Sequence, residues 1–120
     1  MQLINLTHSD LKFFSDDRKY LGLLPSKVKT KEYPAPYVSI KKKKIKSIGN
    51  AVIYEPSKEA IINLPPKKRG YYYVIPRDVL VAQRMSELYG ELVRKDLLCP
   101  HELTKDINGN IIGCVGLITR

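Results

Sequence analysis

Tryptophan is absent from this chain, and cysteine and histidine occur only twice each. Two cysteines, Cys99 and Cys114, cannot build a disulfide scaffold and fit a reducing compartment. No CxxC pair is present, so the standard zinc-finger spacings are excluded. No apolar run approaches the ~20 residues of a membrane-spanning helix. The opening Met1-Gln2-Leu3-Ile4-Asn5 lacks the basic-then-apolar pattern of a secretory signal, so a cytoplasmic location and no membrane partner are expected. There is no phosphate-binding glycine loop and no paired-carboxylate signature. The sequence therefore leans away from an enzyme, and no cofactor or metal is expected.

What the chain has in excess is positive charge. Its 120 residues, the length of one domain, carry a formal net charge of +9. Such a field attracts an anionic partner or keeps a surface soluble. Nucleic acid and an acidic host protein satisfy the same charge, and the composition leaves an oligomer open.

Along the chain, Leu3–Leu6, Leu11–Phe14 and Tyr20–Leu24 read as short strands, with a polar turn at Asp16-Asp17-Arg18-Lys19. Residues 25–36 and 55–69 are polar and proline-bounded and are predicted as loops. Tyr37–Ile40 and Ala51–Tyr54 are further strand candidates, separated by a lysine run and a Gly49-Asn50 turn. Tyr71-Tyr72-Tyr73-Val74-Ile75 is aromatic and β-branched, the clearest strand in the sequence. A helix capped by Asp78 should follow, with Val81, Met85, Leu88 and Leu92 as a core-facing stripe and Gly90 weakening its end. The C-terminus reads as a hairpin turning at Asn108-Gly109, a type I′ signal, with Ile111–Ile118 as the last strand. In that register Leu103 faces Cys114. Cys99 then lies four residues further along, about 13 Å away at ~3.3 Å per residue, whereas a disulfide needs Cα atoms within ~7 Å. One helix among several strands, without βαβ alternation, predicts a single α+β domain over residues 1–120: a small, strongly bent antiparallel sheet or open barrel with one main helix.

Several segments carry a resemblance. The opening Asn5-Leu6-Thr7-His8, the Leu64-Pro65-Pro66 segment, Gly70 to Ile75 running into Leu80-Val81-Ala82, then Arg94-Lys95-Asp96 and Pro100, stand in a recognisable order. So does the close, Asp106-Ile107-Asn108-Gly109-Asn110-Ile111-Ile112-Gly113-Cys114-Val115-Gly116-Leu117. Together they resemble a family of small uncharacterised proteins of tailed bacteriophages, archaeal viruses and their integrated relatives. The family's usual proline between Thr7 and His8 is missing here, and Pro76-Arg77-Asp78 stands where the family usually has serine. The resemblance implies a viral or mobile-element origin, hence the host cytoplasm, and no particular reaction.

Candidate chemistry begins with two basic clusters. Lys41, Lys42, Lys43, Lys44 and Lys46 form one, and Lys67, Lys68 and Arg69 the other. Lysines attract phosphates through charge and counterion release, and flanking tyrosines such as Tyr37 and Tyr71 can stack on unpaired bases. The bland reading is a solvated hairpin tip whose lysines block edge-to-edge aggregation. The functional expectation is an accessory protein that binds nucleic acid or a host defence complex. A second expectation, a nucleotide-binding or nucleotide-cleaving protein, uses Arg94 for phosphate and Asp96 to orient it, with His8 and Asn5 alongside. Its bland counterpart is a local ion pair. A virion structural protein is a third. His8, Cys99, His101 and Cys114 have the chemistry of zinc ligands or a Cys–His pair but not the spacing.

Overall fold

The structure, a computed structural model, describes residues 1–119 and, within them, the side chains of all but 41–43 and 55–59. Along the described chain the elements are β1 (Gln2–Asn5), β2 (Leu11–Phe14), β3 (Tyr20–Leu24), β4 (Tyr37–Ile48), β5 (Ala51–Ile62), β6 (Tyr71–Val74), α1 (Arg77–Leu88), β7 (Leu97–Lys105) and β8 (Ile111–Ile118). Mostly sheet with one helix, the chain is of the expected α+β type.

Six strands form one sheet in the order β1-β6-β7-β8-β2-β3. The sheet is mixed, not antiparallel: β1 and β7 both run parallel to β6, and β2 runs parallel to β8. The β6-α1-β7 segment is thus a parallel βαβ crossover, a unit the sequence reading discounted because a single copy gives no alternation to detect. Beside it lies the core, built from Ile4, Leu6, Tyr73, Ile75, Val79, Leu80, Leu97 and Cys99. Asn5 of β1 also makes an isolated parallel bridge to Ser26, two residues past β3.

The helix sits differently from its sequence pattern. Pro76 occupies the N-cap with no side-chain cap, and Asp78 falls in the first turn. Its buried residues are Val79, Leu80, Ala82 and Gln83. The predicted core stripe Val81, Met85, Leu88 and Leu92 points to solvent instead. The true inner face was obscured because it turns polar: Gln83 donates to Glu87 at 3.0 Å, and Glu87 accepts from Arg84. Gly90, with φ 105°, follows the last turn as expected.

The C-terminal hairpin also departs in detail. Its loop is Ile107-Asn108-Gly109, with the Gly109 amide donating to the Asp106 carbonyl and the Asp106 amide to the Asn110 carbonyl. Gly109 alone takes positive φ (82°), the three-residue pattern of a turn closed by a left-handed glycine. A bulge between Thr104 and Lys105 absorbs the extra residue, which restores the expected Leu103–Cys114 pairing. Cys99 pairs with Ile118, and both cysteines are free and buried.

The largest difference is the middle of the chain. β4 does not stop at Ile40 but continues through the lysines to Ile48, and β5 runs to Ile62, so residues 55–62 are strand and only 63–70 are loop. The pair forms a separate two-stranded ribbon, closed by Gly49-Asn50 with Gly49 at φ 58°. Its base reaches the core through Val38 and Ile61. At ~3.3 Å per residue each strand is about 36 Å long. The radius of gyration, 17.7 Å, therefore exceeds the ~14 Å of a compact chain of this length.

Gly113 permits the contact between β8 and β2. A Cβ there would stand 2.3 Å from the Lys12 carbonyl oxygen and 2.6 Å from the Phe14 ring. Backbone cannot yield cheaply, so Gly113→Ala should cost about 2 kcal/mol or more, read from urea unfolding. Gly116→Ala, with open space around its Cβ position, should stay within about 0.5 kcal/mol of the parent.

Candidate nucleic-acid interface

The first basic cluster lies on the ribbon. Between Tyr37 and Ile62 the arm carries six lysines against two glutamates. The side chains of Lys41, Lys42 and Lys43 lie outside the described residues. Lys44 and Lys46 are exposed, about 23 and 30 Å along the arm from Tyr37 at ~3.3 Å per residue. Between and beyond them Ile45, Ile48, Val52 and Tyr54 are also exposed. Tyr37 is half-exposed at the base.

Lys67, Lys68 and Arg69 sit in the loop entering β6 and line a concavity of about 420 Å³ with Tyr71, Tyr72, Lys95 and Asp96. The Lys68 ammonium stands 4.3 Å from the centroid of the Tyr71 ring, and Tyr71 stacks on Tyr73 at 6.4 Å. Lys95 joins this set because β7 runs parallel to β6, with Leu97 opposite Tyr73. Sequence reading missed Lys95; recognising the βαβ crossover would have found it. Ile62 and Lys67 are five residues apart, so the arm's base and the concavity are separated by at most ~17 Å of extended chain.

Arg94 and Asp96 come together, but as a structural clamp. Arg94 Nε and one Nη each donate to Asp96 at 2.8 Å, and the same Nη donates to the Pro65 carbonyl at 2.9 Å. The Asp96 side chain is 5% exposed. Burial pushes its carboxyl pKa up, but the hydrogen bonds and charge of Arg94 outweigh burial and hold it below the ordinary carboxylate range. Glu87 behaves alike: burial raises it, while Gln83, the Arg94 amide and Arg84 bring it lower. The Arg94 guanidinium thus spends its planar fork on its own chain.

Asn5 and His8 lie elsewhere. Asn5 is fully buried. Its amide nitrogen donates to the carbonyls of Ser9 and Leu24, each at 3.0 Å, while its oxygen accepts from the Thr7 amide (2.9 Å) and hydroxyl (2.6 Å). All four of its hydrogen-bonding positions are filled. His8 lines a second concavity with Arg77, Cys99, His101 and Glu102, so three of the four candidate metal or nucleophile residues share one groove. Cys114 is buried in β8 opposite Leu103. Burial raises the Cys99 thiol pKa, partly countered by Arg77, and burial likewise raises that of Cys114, which disfavours the thiolate that nucleophilic chemistry needs. Among the described residues no three His, Cys, Asp or Glu side chains are grouped to hold a metal ion. No described helix is long and apolar enough to cross a membrane.

Comparison with protein-family models, with curated proteins and with solved structures finds no match to this chain.

The two clamps make separate predictions. A carboxylate held below its ordinary pKa stabilises the fold above about pH 4 and loses that contribution as pH falls through its folded value. Wild-type stability should therefore decline below about pH 4. Asp96→Asn, which strands a buried guanidinium, should cost about 3 kcal/mol at neutral pH and flatten that acid decline. Asn5→Ala leaves two carbonyls and the Thr7 donors without their partner and should cost about 2–3 kcal/mol in urea unfolding, with nucleic-acid affinity of the folded fraction unchanged.

Proposed function

We propose that this chain is a viral or mobile-element accessory protein that binds nucleic acid through the β4–β5 arm. The carrying observation is the arm itself: a two-stranded ribbon, about 36 Å long, with six lysines against two glutamates. A major groove about 12 Å wide admits a two-stranded ribbon. Lysines along such a ribbon meet phosphates on the groove walls and release their counterions. The concavity of Lys67, Lys68, Arg69 and Lys95 supplies a second anchor near the arm's base, where Tyr71 offers a ring to an unpaired base. In this reading the bent six-stranded sheet, bridged from Asn5 of β1 to Ser26 just past β3, is an open barrel that serves as a rigid mount. The opening and closing motifs support the viral origin.

The test is a gel-shift titration of the full chain against duplex and single-stranded nucleic acid, with nuclease controls. Binding should weaken steeply with salt. Lys44→Ala and Lys46→Ala should each weaken it across all sequences and reduce the salt slope by about one. Retained affinity in a Lys44→Glu, Lys46→Glu double variant would remove the arm from the interface. Salt-dependent capture of an acidic protein, with no shift of nucleic acid, would reassign the partner.

A further inference from the structure

The solvent face of α1 is apolar where a surface helix is ordinarily polar. Val81, Met85 and Leu88 follow one another at helical spacing, and Tyr89, Leu92 and Val93 extend the patch past the helix end. Leu88, Tyr89 and Leu92 are 78%, 86% and 89% exposed. Val81, Met85, Leu88 and Val93 line one shallow apolar depression. Six side chains so exposed present on the order of 700 Å², beyond the ~300–600 Å² of the largest patch on an ordinary monomer. That is close to the ~800 Å² per partner of a standard interface.

We infer that this face pairs with the same face of a second copy of the chain, the two helices running antiparallel about a two-fold axis. The charges at its ends fit that arrangement. Arg77 opens α1, four residues before Val81, and Glu91 stands just past its end, beyond Gly90, and both are exposed. Antiparallel packing brings Arg77 of each copy to Glu91 of the other, a self-complementary pattern that a two-fold interface requires. Along the middle of the face Arg84 and Glu87 neutralise each other at 2.8 Å. Two strongly basic chains can therefore meet here without placing uncompensated positive charge in the contact. The spacing of the stripe suits the shallow crossing of helix pairs packed along an a/d-like seam. The inference is independent of nucleic-acid binding.

Sedimentation equilibrium of the full chain, free of nucleic acid, over a wide concentration range tests it. The expected result is a reversible species of twice the chain mass. Leu88→Glu, at an exposed position, should leave the circular dichroism and thermal transition intact while weakening association roughly tenfold or more, as for a central interface residue. Glu91→Arg should weaken association, and adding Arg77→Glu to it should restore it, a rescue that a purely structural role does not produce. A single-chain mass at every concentration overturns the inference. So does a dimer that survives Leu88→Glu, or a charge swap without rescue.

Discussion

A buried amide ties the end of the first strand to the end of the third. Asn5 ends β1, yet its side chain reaches the carbonyl of Leu24 at the end of β3, nineteen residues on. Ser26 completes the junction: its amide donates to Asp10, its hydroxyl to the Thr7 carbonyl, and it accepts from the Lys29 amide. The Lys27 amide donates to the Asn5 carbonyl at 2.9 Å. Outer strands of an open sheet would otherwise leave these polar groups to solvent or bury them unpaired, at about 1–3 kcal/mol each. The junction fixes where the chain departs for the arm, because residues 27–36 start from it.

A second constraint works at the other end of β6. Tyr73 donates its amide to the Asp96 carbonyl, and Ile75 donates to that of Leu98, so the return from α1 is stitched to β6 directly. The Arg94–Asp96 pair and the Glu87 cluster fasten the same turn, and Arg84 donates to the Arg94 carbonyl at 2.9 Å. The polar side chains that looked most like a nucleotide site are thus consumed in closing a crossover. Lysines on the arm and beside Tyr71 take no part in that closure. The proposed charge-led contact draws on these lysines and not on the Arg94–Asp96 pair.

The short strands, the β6 segment, the start of the helical region and the Leu103–Cys114 register were legible because each is set by local pattern and turn chemistry. The helix face was not. Two stripes compete on α1, and the more apolar one, Val81 to Leu88, faces outward, whereas the inner one ends in Gln83 and Glu87, which bury by pairing. The arm was misread for a different reason. Lysine and proline lower strand propensity, but a hairpin's register carries them when both flanks pair, as Tyr37–Ile62 and Ile48–Ala51 do. The motif residues Asn5, Gly113 and Asp96 stand out in the sequence because the fold needs an amide, a missing Cβ and a carboxylate there. Nothing in one sequence distinguishes that need from a ligand's.

The arm's composition bears on what would stabilise it. Two strands without a third are marginal in water, and the ribbon carries six lysines against two glutamates. An excess of like charge weakens a hairpin further. Protection against edge-to-edge aggregation needs only an occasional charge, far less than six lysines on one ribbon. A polyanion lying along the ribbon reverses the sign of that repulsion, since each lysine then meets a phosphate and releases a counterion. The same charge that costs the free arm stability would hold the proposed complex together, so arm order and partner binding would rise and fall with salt in step.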